Sequence, residues 1–169
     1  MKDNFDTALG YLLQHEGGFV VNPKDPGGMT NMGVTKLIWE QYVGHPVDAV
    51  AMRSLKEADV APLYRTCYWD LIRGSDLPGG LDYAIFDAAV NQGVPKAVRI
   101  LQSILDVKTD GVLGSRTLAS LDGKNIPALI NQYCDERLRF MQSLPTWATF
   151  GEGWGRRVGD VRAQAMTLA

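Results

Sequence analysis

Between Gly17 and Thr35 the helical period that governs most of this chain breaks off. The stretch reads GGFVVNPKDPGGMTNMGVT, dense in Gly, Pro, Asn and Asp, the residues that turn a backbone rather than coil it. On its N-terminal side Phe5, Ala8, Leu9, Leu12 and Leu13 repeat at the spacing of one helical face. On its C-terminal side several such segments follow. FVV reads as a brief strand and NMGVT as its returning partner, so a small β-ribbon is expected inside a helical protein. The fold class is therefore α+β, predominantly α-helical.

Local signals divide the helical part. Asp3, Asn4 or Asp6 suits the start of the first helix, and Gly17 the left-handed residue that ends it. Thr35 is placed to cap KLIWEQYV, which Gly44 ends. Ser54 and Glu57 have the spacing of a capping box, opening a helix to about Ile72 that Pro62 kinks. Pro78 suits the first turn of a helix with Leu81, Ile85, Ala88 and Ala89 on one face, ending near Gly93. KAVRILQSILDV is amphipathic, TDGVLG is a joint, and Ser115 or Thr117 begins a short helix. Asn125 caps a long helix, and a last one follows Pro145. No repeat or flexible linker interrupts the chain, so 169 residues are expected to pack as one continuous body.

Bulk properties exclude several classes. No apolar run exceeds four residues, so no membrane insertion is expected. The N-terminus MKDNFDTALG lacks the apolar stretch of a secretory signal, which predicts synthesis in the cytosol and another exit route for any work outside it. Residues 1–93 carry 7 Lys and Arg against 12 Asp and Glu, and residues 94–169 carry 10 against 7. The acidic first half argues against nucleic acid. Two cysteines, Cys67 and Cys134, are expected as free thiols. With only His15 and His45, the chain lacks the histidine-rich ligand set of a zinc amidase or peptidase. Neither cysteine is placed as a nucleophile. No cofactor is called for.

Two carboxylates carry the chemistry. Glu16 stands where the first helix ends, and Asp25 lies in the Pro/Gly turn nine residues later. Glycosidic hydrolysis needs one acid to protonate the leaving oxygen and a second group to place water or stabilise positive charge on the anomeric carbon. The negative end of a helix dipole disfavours an anion, as do apolar neighbours such as Leu12, Leu13 and Phe19, so Glu16 suits the protonated partner. Asp25, in a polar turn, suits the ionised one. Gly17 and Gly18 would let the chain reverse over the acid. The hydroxyl of Thr30 both donates and accepts, and suits holding a water with Asp25. If Asp25 places water, inversion is expected and the carboxyl groups should stand roughly 6.5–9.5 Å apart.

The segment HEGGFVVNPKDPGGMTNMGVT resembles the signature of family 108 glycoside hydrolases, N-acetylmuramidases that cut peptidoglycan. LYRTCYW, FDAAVNQG, LQSILDVKTDGVLGSRTL and GWGRRV extend the resemblance over nearly the whole chain. It implies a lysozyme-like fold, a catalytic region over residues 1–93 and a helical peptidoglycan-binding-like region over 94–169. It also implies cleavage of the β-1,4 bond between N-acetylmuramic acid and N-acetylglucosamine, with Glu16 as the acid. The order Glu16, Asp25, Thr30 is similar to the Glu, Asp, Thr triad of phage-type lysozymes, with the threonine one residue early. A monomer acting on glycan strands in the cell wall, delivered by a phage holin or a dedicated exporter, would fit.

Further residues suit sugar binding. Asn22 and Asn31 flank the acidic loop, Tyr64, Tyr68 and Trp69 form an aromatic cluster, and Asn91 and Gln92 end a helix. Such a cluster is more often core than a sugar platform. Asp87, on an apolar helix, reads as a buried hydrogen-bonding residue. Two other readings stay open: a lytic transglycosylase using Glu16 alone, and a wall-binding module without catalysis.

Overall fold

A computed structural model describes residues 4–21 and 28–169. Helix α1 (Phe5–His15) leads into strands β1 (Val20–Val21), β2 (Met29–Asn31) and β3 (Val34–Thr35). The strands form one antiparallel sheet in the order β1-β2-β3, with Val20 opposite Thr30 and Thr30 opposite Thr35. The expected ribbon thus has a third strand, because a turn at Met32 and Gly33 folds NMGVT back on itself. Helices α2 (Lys36–Val43), α3 (Ala49–Ser54), α4 (Glu57–Tyr64), α5 (Leu81–Gln92), α6 (Val94–Ile104), α7 (Ser115–Ala119), α8 (Ile126–Gln142) and α9 (Trp147–Leu168) complete the described fold.

Helix α5 is the axis of the molecule. Every residue from Leu81 to Ala89 is buried, and α1, α6, α8 and α9 pack around it. Each large apolar side chain enclosed this way contributes about 1.5–3 kcal/mol relative to exposure. The ring of Phe86 meets Phe5, Tyr64 and Trp69 in tilted or edge-on geometry, which joins α1, α4 and the turn after α4 into one core.

Several caps stand where sequence places them. Thr35 Oγ1 accepts from Ile38 N–H at 3.3 Å, Gly44 ends α2 in a left-handed conformation, and Asn125 Oδ1 accepts from Ala128 N–H at 3.0 Å. Others do not. Ser54 closes α3, which Asp48 caps, and the reciprocal cap of α4 lies two residues later: Lys56 N–H donates to Asp59 Oδ2 at 2.8 Å. Beyond Tyr64 the helix widens over Arg65–Trp69 into a turn closed by Asp70 N–H donating to Arg65 C=O at 2.9 Å. Pro78 precedes its helix, its carbonyl accepting from Asp82 N–H at 3.1 Å. Gly17 is not left-handed, since Glu16 leaves α1 in an extended conformation with φ −88° and ψ 136°.

Candidate active site

That extended conformation aims the chemistry. Glu16 N–H still donates to Leu13 C=O at 3.3 Å, but its extended backbone leads the next residues toward the sheet. Glu16 Oε1 accepts from Arg157 Nη2 at 2.9 Å, and the carboxylate side chain keeps 19% exposure. The guanidinium sets a positive charge beside this carboxylate at the end of α1.

Arg157 serves two carboxylates. Its Nε lies 3.2 and 3.1 Å from the two oxygens of Asp87, and Nη2 donates to Asp87 Oδ2 at 2.9 Å. Behind it Arg137 Nη1 lies 2.7 Å from Asp87 Oδ1, and both of those side chains are fully buried. Arg137 Nη2 also reaches Asn91 Oδ1 at 3.4 Å. Two carboxylates and two guanidinia therefore alternate from the surface into the core. Burial is the largest single influence on Asp87 and pushes its carboxyl up. The charges and hydrogen bonds of Arg137 and Arg157 together outweigh it and hold Asp87 below the usual carboxylate range. Burial also pulls on Arg157, but Asp87 and then Glu16 hold it above the ordinary guanidinium value.

The opposite side of Glu16 is shaped by Gly33. This residue has φ +75°, and a Cβ there would stand 2.5 Å from the Tyr64 hydroxyl and 2.9 Å from Glu16 Oε2. Only a glycine lets the β2–β3 turn close so tightly on the acid. Tyr64 is buried and donates to Met32 C=O at 2.8 Å, which fixes the same turn. Burial first, and the nearby Glu16 charge second, push the Tyr64 phenol well above its usual range. Its hydroxyl is therefore a permanent donor. The glycine that crowds the acid is Gly33; positions 17 and 18 face open space.

The remaining sequence candidates sort by burial. Asn31 is buried and donates to Met52 C=O at 2.8 Å, so it ties β2 to α3. Trp69 is fully buried, with its indole N–H donating to Ser75 Oγ at 3.0 Å and its ring edge-on to Phe5 and Phe86. It cannot stack on a sugar, and its assignment as a binding residue is corrected: a large ring at this spacing filled the core. Thr30 lies half-buried in β2. Asn91 is exposed at the end of α5. Asn22 and Asp25 lie outside the described residues. Arg137 and Arg157 were missed by sequence reasoning. Arg137 carried a signal, a cation four residues from both Tyr133 and Met141 on the buried face of α8. An aspartate on the core helix α5 likewise called for a countercharge.

A mostly helical α+β body with a short antiparallel sheet beside a carboxylate at the end of its first helix defines a lysozyme-like protein. Residues 9–93 match the family Glycosyl hydrolase 108, and residues 96–159 match a family described as Predicted Peptidoglycan domain. The solved structure of Brucella abortus SagA is 39% identical, with a TM-score of 0.85, covering 99% of this chain and 96% of that one. No curated protein matches the chain significantly. The chain belongs to glycoside hydrolase family 108 and is a hydrolase of peptidoglycan.

Proposed function

We propose that the chain is an N-acetylmuramidase, hydrolysing the β-1,4 bond between N-acetylmuramic acid and N-acetylglucosamine with Glu16 as general acid. One observation carries this reading: of the two carboxylates that share Arg157, Asp87 is sealed in the core and only Glu16 reaches solvent. Arg157 holds Oε1, which leaves Oε2 on the side of Gly33 and the Tyr64 hydroxyl. Arg157 is a positioning residue, fixing the carboxylate so that the reacting bond meets it in one orientation. Asp25 and Thr30 place the attacking water or stabilise the oxocarbenium ion, a role that rests on their order in the sequence.

The two matched regions act as one catalytic body. Glu16 and Asp87 belong to the first, while Arg137 and Arg157, which hold them, belong to the second. Residues 94–169 thus complete the active site as well as meeting the wall. The protein works as a monomer on glycan strands, reaching the wall by holin-type release or a dedicated exporter.

Mass spectrometry of muropeptides tests the reaction. Digestion of purified peptidoglycan should yield reducing N-acetylmuramic acid ends. Anhydro-muramic ends would instead establish a lytic transglycosylase, and Asp25→Ala separates the two because only hydrolysis needs a placed water.

A further inference from the structure

The first half of α9 carries three aromatic rings in one stripe. Trp147 and Trp154 have ring centroids 6.2 Å apart, and Phe150 and Trp154 have theirs 5.7 Å apart. Phe150 is 53% exposed, while the two indoles are half-buried, each packed against the core on one side and open on the other. Gly151 lets the Trp147 indole lie against the helix, since a Cβ there would fall 2.5 Å from its ring.

The stripe ends in a pocket of about 430 Å³ between the last turn of α1, the last turn of α5 and α9. Gln14, His15, Asn91, Trp154, Arg157 and Asp160 contribute to its walls. Arg157 is also the partner of Glu16, so the pocket adjoins the candidate acid. Its volume is that of a small-molecule site. Some of its polar groups already have partners: Gln14 Oε1 accepts from Gln164 and Asn91 Oδ1 from Arg137. Of the residues in its walls, His15 carries a ring nitrogen, Nε2, that is buried without a hydrogen-bond partner among the described residues. Native proteins rarely leave such atoms unpaired without a ligand or water to meet them. The rim mixes cations with Asp160, which suits a largely neutral ligand bearing many hydroxyl and amide groups better than a polyanion.

We propose that this pocket is a saccharide subsite of the peptidoglycan cleft, with Trp154 stacking on an N-acetylhexosamine ring and the rim side chains bonding its hydroxyl and acetamido groups. An indole suits that task because one face is broad and apolar while a pyranose presents C–H groups on its own faces. The assignment to the glycan rests on Glu16 being the reacting carboxylate, since that sets the pocket beside the cleaved bond.

Calorimetric titration with chitohexaose, in variants that all carry Glu16→Gln, reads binding without turnover. Adding Trp154→Ala should weaken affinity roughly tenfold or more, as for a desolvated aromatic anchor, while Trp154→Phe, which keeps a ring, should lose much less. In the otherwise wild-type enzyme Trp154→Ala should raise KM more than it lowers kcat. Unchanged chitohexaose affinity in a folded Trp154→Ala variant, or no binding by the Glu16→Gln parent, overturns the subsite. If Trp154→Ala does not fold, Asp160→Ala on the exposed rim takes its place: weaker binding supports the subsite and unchanged affinity overturns it. Binding that responds to Trp154 alongside full hydrolysis by Glu16→Gln would sink the role of Glu16 and not the pocket.

Discussion

Arg157 stands 2.9 Å from Glu16 across 141 residues of chain, joining the start of the sequence to its last helix at the one partly exposed carboxylate of a buried ion network. Replacing Arg157 with Lys keeps a charge but cannot reproduce a fork shared between two carboxylates. Arg157→Lys should therefore lose at least about tenfold in kcat, which corresponds to about 1.4 kcal/mol of transition-state stabilisation. Steady-state release of reducing ends from soluble glycan strands reads this. Full activity in Arg157→Lys would show that the ion pair does not position the acid.

Asp87 ties acid sensitivity to the core. Its folded carboxyl is held below the ordinary value of about 3.9, so its stabilising effect is present above that pH and is lost as pH falls through the folded value. Wild type should lose stability on acidification more steeply than Asp87→Asn. At neutral pH Asp87→Asn should be less stable by about 3–5 kcal/mol, because two buried guanidinium contacts lose their anion. Thermal unfolding across acid to neutral pH measures both.

Gly33 and Tyr64 should behave as a coupled pair. Gly33→Ala forces a left-handed conformation costing about 1–2 kcal/mol and drives a methyl group into the Tyr64 hydroxyl. Activity should fall with stability, because Glu16 Oε2 lies against the same spot. Tyr64→Phe removes the clashing oxygen, so a double-mutant cycle should show the second substitution recovering part of what the first loses.

Trp69 should affect folding and not recognition. Trp69→Ala is expected to cost about 3–5 kcal/mol, the range for emptying a core aromatic site. At temperatures where the variant stays folded, KM should match wild type. A raised KM with unchanged stability would return Trp69 to the substrate.

What the sequence made legible follows the range of the forces involved. Thr35, Gly44 and Asn125 act within one turn, so their caps could be read directly. The segment from Asp48 to Asp76 could not. Ser54 had cap chemistry, but α3 had already formed upstream, and the widened turn at Arg65–Trp69 is held by the packing of Trp69 on Phe5 and Phe86. Glu16 was singled out because the end of α1 and its ordered neighbours marked it. Arg157 was not, because nothing local links a guanidinium in GWGRRV to an acid at the other end of the chain. The crowding of Gly33 on Glu16 was equally hidden, since it needs the β2–β3 turn to be built first.

Glu16→Gln removes the proposed proton donor while leaving an isosteric side chain beside Arg157. Release of reducing ends from purified peptidoglycan, measured beside thermal unfolding, tests the account most directly. Glu16→Gln should unfold close to wild type and lose activity by about a thousandfold or more, the scale expected when a general acid is removed. A folded Glu16→Gln variant that still digests peptidoglycan at the wild-type rate would contradict it.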